Sequence, residues 1–191
     1  MGEVFYIADT HYGHKNVMAF DGRPFNTTEE HDNALTNNWN EVVGFNDDVY
    51  ILGDFSWYSS TKSIEILKGL NGTKHLIVGN HDGRMLKNQD ARKEFAEVVP
   101  YKEIKVNDSV QLVLCHYPIP TFNGHFRNWV HFYGHAHTTF EYDMIEDFRR
   151  DMIARGNPCR MYNIGAMMPW MNFTPRTFDE IISLSEHWLG E

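Results

Sequence analysis

Five short apolar runs recur along the chain, and each ends in polar residues able to bind a metal ion. Val4–Ala8 leads into Asp9-Thr10-His11, Val49–Leu52 into Gly53-Asp54, and Leu76–Val78 into Gly79-Asn80-His81-Asp82. Leu112–Cys115 leads into His116, and Val130–Tyr133 into Gly134-His135-Ala136-His137. Apolar runs of this length, bounded by turn residues, read as strands buried on both faces. Gly79 lets the chain turn tightly where a side chain would obstruct it. Open α/β sheets keep their ligands at strand ends, so a fold that gathers these ends on one edge would bring carboxylate, amide and imidazole together.

Between the runs the spacing turns helical. Thr27 followed by Glu30 reads as a capping box, and the helix after it carries Leu35, Trp39, Val42 and Val43 on one face, with Gly44 as its stop. Ser60–Leu70 is a second helix with Ile64, Leu67 and Leu70 inward, stopped by Asn71-Gly72. Further helices are predicted over Asn88–Glu97, Asp143–Arg155 and Asp179–His187, the last capped by Thr177 with Glu180. Strands over Tyr101–Val106 and Val110–Cys115 flank the turn Asn107-Asp108-Ser109 as a hairpin. Met161–Ile164 reads as another strand, and Thr10–Phe25 and Tyr117–Trp129 as long loops. Helices alternating with strands early, and hairpin strands later, predict an α/β fold: a two-sheet β-sandwich flanked by helices. No linker, repeat or low-complexity tract divides residues 1–191, so one domain is expected.

Composition narrows the function. At 191 residues there is room for a sizeable core. No apolar run approaches the roughly 20 residues that span a bilayer, which argues against a membrane role. The first strand begins too early to leave space for a signal peptide. Met1-Gly2 is no myristoylation signal, because Tyr6 stands where Ser or Thr is needed. The two cysteines, Cys115 and Cys159, form no disulfide framework, so a cytoplasmic setting is expected. Net charge is −9 with no basic stripe, which argues against a nucleic-acid partner. Of the 11 histidines, five sit at the strand ends named above.

The strand-end side chains mix hard oxygens with imidazoles and include no thiolate. That set disfavours a structural zinc site and favours a catalytic Mn²⁺, Fe or Zn²⁺. The seven candidates Asp9, His11, Asp54, Asn80, His116, His135 and His137 exceed the needs of one tetrahedral ion. Two divalent ions, roughly 3.5–4 Å apart and sharing a carboxylate and a water, would use them all.

The ordered series Asp9-x-His11, Gly53-Asp54, Gly79-Asn80-His81-Asp82, His116 and Gly134-His135-x-His137 resembles the calcineurin-like metallophosphoesterases along nearly the whole chain. Gly13-His14-x-Asn16, Arg23-Pro24-Phe25 and Asn163-x-Gly165 are similar to the small bacterial and phage members. Met167-Met168, by contrast, replaces the polar residues expected after them. The resemblance implies a four-layer α/β/β/α sandwich with the metals at one sheet edge. It assigns Asp9, His11 and His137 to one ion, Asn80, His116 and His135 to the other, and Asp54 as the bridge. It makes His81 a catalytic histidine that contacts the phosphate and helps protonate the leaving oxygen, with Asp82 supporting its loop. Mn²⁺ is the leading metal, with Fe, Zn²⁺ or Ni²⁺ as alternatives.

The implied function is hydrolysis of a small phosphorylated compound, a nucleotide or cyclic nucleotide being the leading substrate. Two cations make hydroxide available near neutral pH for in-line attack and neutralise charge on the phosphoryl oxygens. Phe55-Ser56-Trp57 after Gly53-Asp54 lacks the Asp-Arg-Gly of the Ser/Thr protein phosphatases, which argues against a protein substrate. The alternatives are a nuclease acting on DNA or RNA, and a non-catalytic scaffold that recruits a partner protein. The motifs leave mono- and diesters both open. His14, Asn16, Arg84 and Arg127 are candidate substrate contacts, and Arg23 a further phosphate clamp. Against these stands the ordinary reading of a solvated loop or surface residue. Trp57 and Tyr58 could stack a base, though rim packing is the plainer expectation. His31, His75, His131 and His187 read as structural histidines, and Met167–Met171 as a buried segment.

Overall fold

A computed structural model describes residues 2–190. From the N-terminus run β1 (Val4–Ile7), α1 (Val17–Phe20), α2 (Thr28–Val42), β2 (Asp48–Ile51), α3 (Ser60–Gly69), β3 (Thr73–Ile77), α4 (Gly83–Leu86), α5 (Gln89–Lys93) and β4 (Glu97–Val99). The second half runs β5 (Tyr101–Lys105), β6 (Gln111–Cys115), β7 (Val130–Tyr133), α6 (Phe140–Ala154), β8 (Met161–Asn163), β9 (Arg176–Thr177) and α7 (Phe178–Leu189).

Two mixed sheets result, flanked by helices. The first has the order β4-β3-β2-β1-β9, with β1 to β4 parallel and β9 antiparallel against β1. Parallel neighbours need crossovers of a dozen residues or more, and α2, α3 and the short pair α4–α5 supply them. The second sheet has the order β5-β6-β7-β8, in which only the β5–β6 hairpin is antiparallel. Parallel strands run their C-terminal ends to the same edge, which is why the five apolar runs deliver their polar ends together.

Between the sheets Tyr6 meets Phe132 edge-on, ring centroids 5.3 Å apart, and stacks on Tyr50. Leu112, Leu114 and Val130 belong to the same apolar cluster, as do Ile7, Val49, Ile51 and Leu76, which alternation places on the opposite face of the first sheet. Leu35, Trp39 and Leu67 seal the first sheet with α2 and α3. Alternate residues of β7 point the other way, so Tyr133 joins Val113 and Met161 under Ile145 and Phe148 of α6. At the edge where the ligands gather, β1 leaves its own sheet and hooks the other. The Ala8 N–H donates to the Ile164 carbonyl at 2.9 Å, and the Ala166 N–H donates to the Ala8 carbonyl at 2.8 Å.

Several expectations shift. The helix predicted over Asn88–Glu97 is only α5, with Asn88 as its N-cap, and Glu97 opens edge strand β4. Glu97-Val98-Val99 is too short before Pro100 to show a period. Val42 is 37% exposed and not on the buried face of α2. That helix ends with Val43 in extended backbone rather than on a left-handed Gly44. Helix α6 starts at Phe140, capped by Thr139, and the first long loop encloses α1. Strand β9, of two residues, has no pattern from which to be read. The full capping box forms at Thr177 and Glu180; at Thr27 only the N-cap half does, since Glu30 accepts from Asn26 instead.

Candidate metal centre

The loops that follow β1 and β2 stay in register beyond their strands. The Asp9 N–H donates to the Gly53 carbonyl at 3.1 Å, that of His11 to Asp54 at 3.0 Å and that of Tyr12 to Phe55 at 3.0 Å. The loops therefore hold their side chains as firmly as strands would. Gly53 lies at φ +80°, and a Cβ there would fall 2.5 Å from His116 Nδ1 and 2.6 Å from the Gly79 Cα. Only two facing glycines let the β2 and β3 turns touch.

Backbone strain marks the same residues. Among the described residues, eight other than glycine have positive φ, and five of them are predicted ligands: Asp9 (52°), His11 (51°), Asp54 (53°), His135 (67°) and His137 (48°). Left-handed backbone costs an L-residue roughly 1–2 kcal/mol. Such strain persists where surrounding structure enforces it, and concentrates at functional sites.

All seven predicted ligands meet. Asp9, His11 and His137 form one group whose potential donor atoms lie within 4.8 Å of one another, and Asp9, Asp54 and His116 form a second. His11 Nε2 is 3.7 Å from Asp54 Oδ2 and 4.0 Å from Asp9 Oδ1. Asn80 Oδ1 lies 2.8 Å from His116 Nε2 and 3.0 Å from His135 Nδ1, drawing the amide into the second group. Asp54 sits between them, with Oδ1 3.7 Å from His116 Nε2.

Electrostatics favour added positive charge at this place. Burial, and then the neighbouring Asp9 and Asp82 carboxylates, push the Asp54 carboxyl up to about 7 against the opposing pull of His116. A carboxylate so placed needs cations to hold its charge. Burial, followed by the nearby His137 and Arg23, holds His11 well below the usual histidine range, and burial likewise lowers His135. Both are thus kept as the neutral imidazoles that ligate metals. Burial also acts to lower His137, but its hydrogen bond to Asp21 and the Asp9 charge outweigh it and raise the net value.

A layer of supporting groups lies behind these side chains. Asp21 accepts from His137 Nδ1 at 2.9 Å, which leaves Nε2 facing the cluster. Arg23 is 4% exposed and no phosphate clamp. Its guanidinium grips Asp21 at 2.9 Å and donates to the backbone carbonyls of Asp9 at 2.9 Å and Thr10 at 3.2 Å. His116 Nδ1 meets the Leu52 carbonyl at 2.8 Å. Asp82 is wholly buried beneath its loop and accepts from the N–H groups of Gly79, Asp54 and Phe55 at 2.7, 3.0 and 3.0 Å. Sequence reasoning missed Asp21; the one available signal was its place two residues before the Arg23-Pro24-Phe25 run.

His81 stands at the rim with its side chain 45% exposed, and its N–H donates to Asp54 Oδ1 at 2.9 Å. Burial and then His116 lower its pKa. Trp57 packs between two histidines, stacked on His14 at 3.9 Å between centroids and leaning on His81 at 4.2 Å. His14 thus covers one face of the indole, which fits rim packing over base stacking. His14 also lies 3.2 Å from His11 through their Nδ1 atoms. Arg84 is exposed and shares a recess of about 210 Å³ with Ser56, Trp57 and His81. Asn16 is exposed at the start of α1, where its side chain makes no capping bond. Arg127 lines a separate recess with residues 121–126, none of them a predicted ligand. His31, His75 and His131 are structural as expected, paired with Asp32, Asp48 and the Val113 carbonyl. Met168, Trp170 and Met171 are buried.

The residues present fit divalent cations. Asp9 Oδ1 and His11 Nε2 are buried without a hydrogen-bond partner, and native proteins rarely leave such atoms bare unless something else binds them. Both face the centre of the first ligand group.

Comparison with known proteins agrees. An uncharacterised protein of Methanocaldococcus jannaschii, MJ1445, is 32% identical over 189 residues, 97% of this chain and 93% of its own length. The Gene 66 protein of Mycobacterium phage L5 is 41% identical over 96 residues, which span 49% of this chain and 46% of the phage protein. The crystal structure of AQ665 from Aquifex aeolicus, a protein of unknown function, superposes with a TM-score of 0.70 at 25% identity, covering 96% of this chain and all of that one. Residues 3–160 match the family described as calcineurin-like phosphoesterase, and the chain belongs to that family.

Proposed function

We propose that the protein is a binuclear-metal-dependent phosphoesterase acting on a small phosphorylated compound, with a nucleotide or cyclic nucleotide as the leading substrate. The observation that carries this reading is the convergence of Asp9, His11, Asp54, His116 and His137, two of whose buried ligand atoms, Asp9 Oδ1 and His11 Nε2, are bare, with Asn80 and His135 adjoining. In this reading Asp9, His11 and His137 would hold one ion, Asn80, His116 and His135 the second, and Asp54 would serve both. Mn²⁺ suits the mixture of hard oxygens and imidazoles. Two such ions supply an activated water for in-line attack on phosphorus and neutralise charge on the equatorial oxygens.

The chain's own groups do the rest. His81, at the exposed rim, reaches the phosphate and donates a proton to the departing oxygen. Asp82 does not touch substrate; it holds the turn that presents Asn80 and His81. Trp57 limits the rotation of His81 by packing against its ring. Arg84, the cation closest to His81 in sequence, approaches the phosphate from the same side. Cys115 is buried as a free thiol, which suits a reducing, cytoplasmic setting.

The test is hydrolysis of p-nitrophenyl phosphate and bis-p-nitrophenyl phosphate by metal-stripped protein supplied with Mn²⁺, Ni²⁺, Zn²⁺ or chelator. Activity should return with Mn²⁺ and vanish with chelator. Asp54→Asn should lose bound metal and turnover together; if it keeps both, the shared site is wrong. His81→Ala should keep its metal and lose most turnover, above all on esters with poor leaving groups.

A further inference from the structure

Two recesses flank the ligand cluster, and they share no residue. One is the recess of Ser56, Trp57, His81 and Arg84. The other is a groove of about 500 Å³ whose lining includes His135 with Tyr117, Pro118, Phe140 and Met144. Glu141 brings its one charge, with Oε2 3.8 Å from His135 Nε2. Tyr117 packs edge-on against His135, ring centroids 4.6 Å apart and planes at 61°. Around this groove folding leaves Phe140 71% exposed, Met144 55% and Tyr117 44%. Apolar side chains gathered in water around one concavity mark a place where a ligand does the burying.

Building on the phosphoesterase reading, we propose that the substrate is a small phosphodiester and that this groove binds one of its two arms, an uncharged planar ring carrying hydrogen-bond donors, as in a nucleoside. Phosphorus held at the cluster projects its substituents into the flanking recesses. A monoester has one arm and fills one recess; a diester fills both. Aromatic edges and faces select a flat ring over a branched chain. The Glu141 carboxylate accepts from N–H or O–H groups, and with no Lys or Arg in the lining it repels a second phosphate. A long polyanion is disfavoured for the same reason. The arm beside His81 is then the one that leaves. Hydrolysis forms a P–O bond from water and breaks the P–O bond to that arm. The departing oxygen keeps the bonding pair and takes one proton of the water by way of His81; the other proton passes to solvent.

The test compares four esters on Mn²⁺-loaded full-length protein: thymidine 5′-(p-nitrophenyl phosphate), bis-p-nitrophenyl phosphate, methyl p-nitrophenyl phosphate and p-nitrophenyl phosphate. The nucleoside diester should exceed the methyl diester and the monoester in kcat/KM by roughly tenfold, the scale of one base–aromatic contact. Phe140→Ser with Met144→Ser, both exposed and so safe for folding, should raise KM for the nucleoside diester. The same double variant should weaken binding of thymidine 5′-monophosphate by a similar factor in titration calorimetry, with bound Mn²⁺ unchanged. A monoester preference, or KM and nucleotide affinity indifferent to the double variant, overturns the proposal while leaving the phosphoesterase reading intact. Sedimentation showing that the double variant splits a dimer would give the groove to a second copy of the chain and also overturn it. No turnover of any ester by protein that holds Mn²⁺ sinks the phosphoesterase reading and the proposal with it.

Discussion

Single residues divide here into those that meet the cluster and those that hold them in place. Asp21 belongs to the second kind, since its hydrogen bond fixes which nitrogen of His137 faces inward. Groups in that position typically change metal affinity by roughly 10–100-fold. Asp21→Asn should weaken Mn²⁺ binding by about that factor in competition with a chelating dye, and should also lower the melting temperature of the metal-free protein, because the buried Arg23 loses its carboxylate; unchanged affinity in the folded variant would make Asp21 a packing residue only. The seven candidate ligands were legible in the sequence because each follows an apolar run, so strand prediction and ligand chemistry pointed to the same positions. Asp21 and Arg23 were not legible in their true roles. An arginine in a polar loop gives no sign that it will be buried against the carbonyls of Asp9 and Thr10. His131 carries a pH signature of its own. Complete burial holds its pKa at about 4, below the usual 6.5, so the folded protein keeps it neutral where the unfolded chain takes up a proton. Its share of stability is intact above pH 6.5 and is lost progressively as pH falls toward 4, by roughly 3 kcal/mol in all. His131→Gln should flatten that part of the acid-unfolding curve, read as urea midpoints between pH 7 and 5.

Elements turn these residues into a site through their ends rather than their middles. Strands β1, β2, β3, β6 and β7 each stop where a ligand begins, and the two facing glycines let neighbouring stops touch. Gly79→Ala removes no ligand, yet its new Cβ would meet the Asp54 N–H at 2.6 Å. The variant should therefore bind metal at least about tenfold more weakly, the scale set by a misplaced supporting group; a variant that binds Mn²⁺ normally by calorimetry would show the β2–β3 contact to be dispensable. At the other end of the chain, Thr177→Ala breaks the α7 capping box and should cost about 1 kcal/mol in urea unfolding. Long periodic elements such as α2, α3 and α7 were legible because burial of one face imposes the period. Strands β4 and β9, of three and two residues, were not. They exist through pairing with β3 and β1, and pairing leaves no mark on so short a stretch.

In the whole molecule the cluster lies across the join between two sheets. Asp9, His11, Asp54 and Asn80 come from the first, and His116, His135 and His137 from the second. Ions bound there would clamp the two layers to each other, so chelation should lower the melting temperature, with the size of the shift set by metal concentration over Kd. Hydrogen exchange should quicken at the loop backbones of residues 9–12, 53–56 and 134–137 and little in α3; uniform quickening would contradict a local clamp. The same join has a consequence for biosynthesis. Strand β1 is made before the other strands, but Ile164 and Ala166, which tie Ala8 in place, are made after every candidate ligand. Until they emerge, the Ala8 backbone just before Asp9 and His11 lacks two of its hydrogen-bond partners. A ribosome-bound chain halted before Ile164 would therefore carry all seven candidate ligands and still capture metal poorly, placing metal uptake after the synthesis of β8.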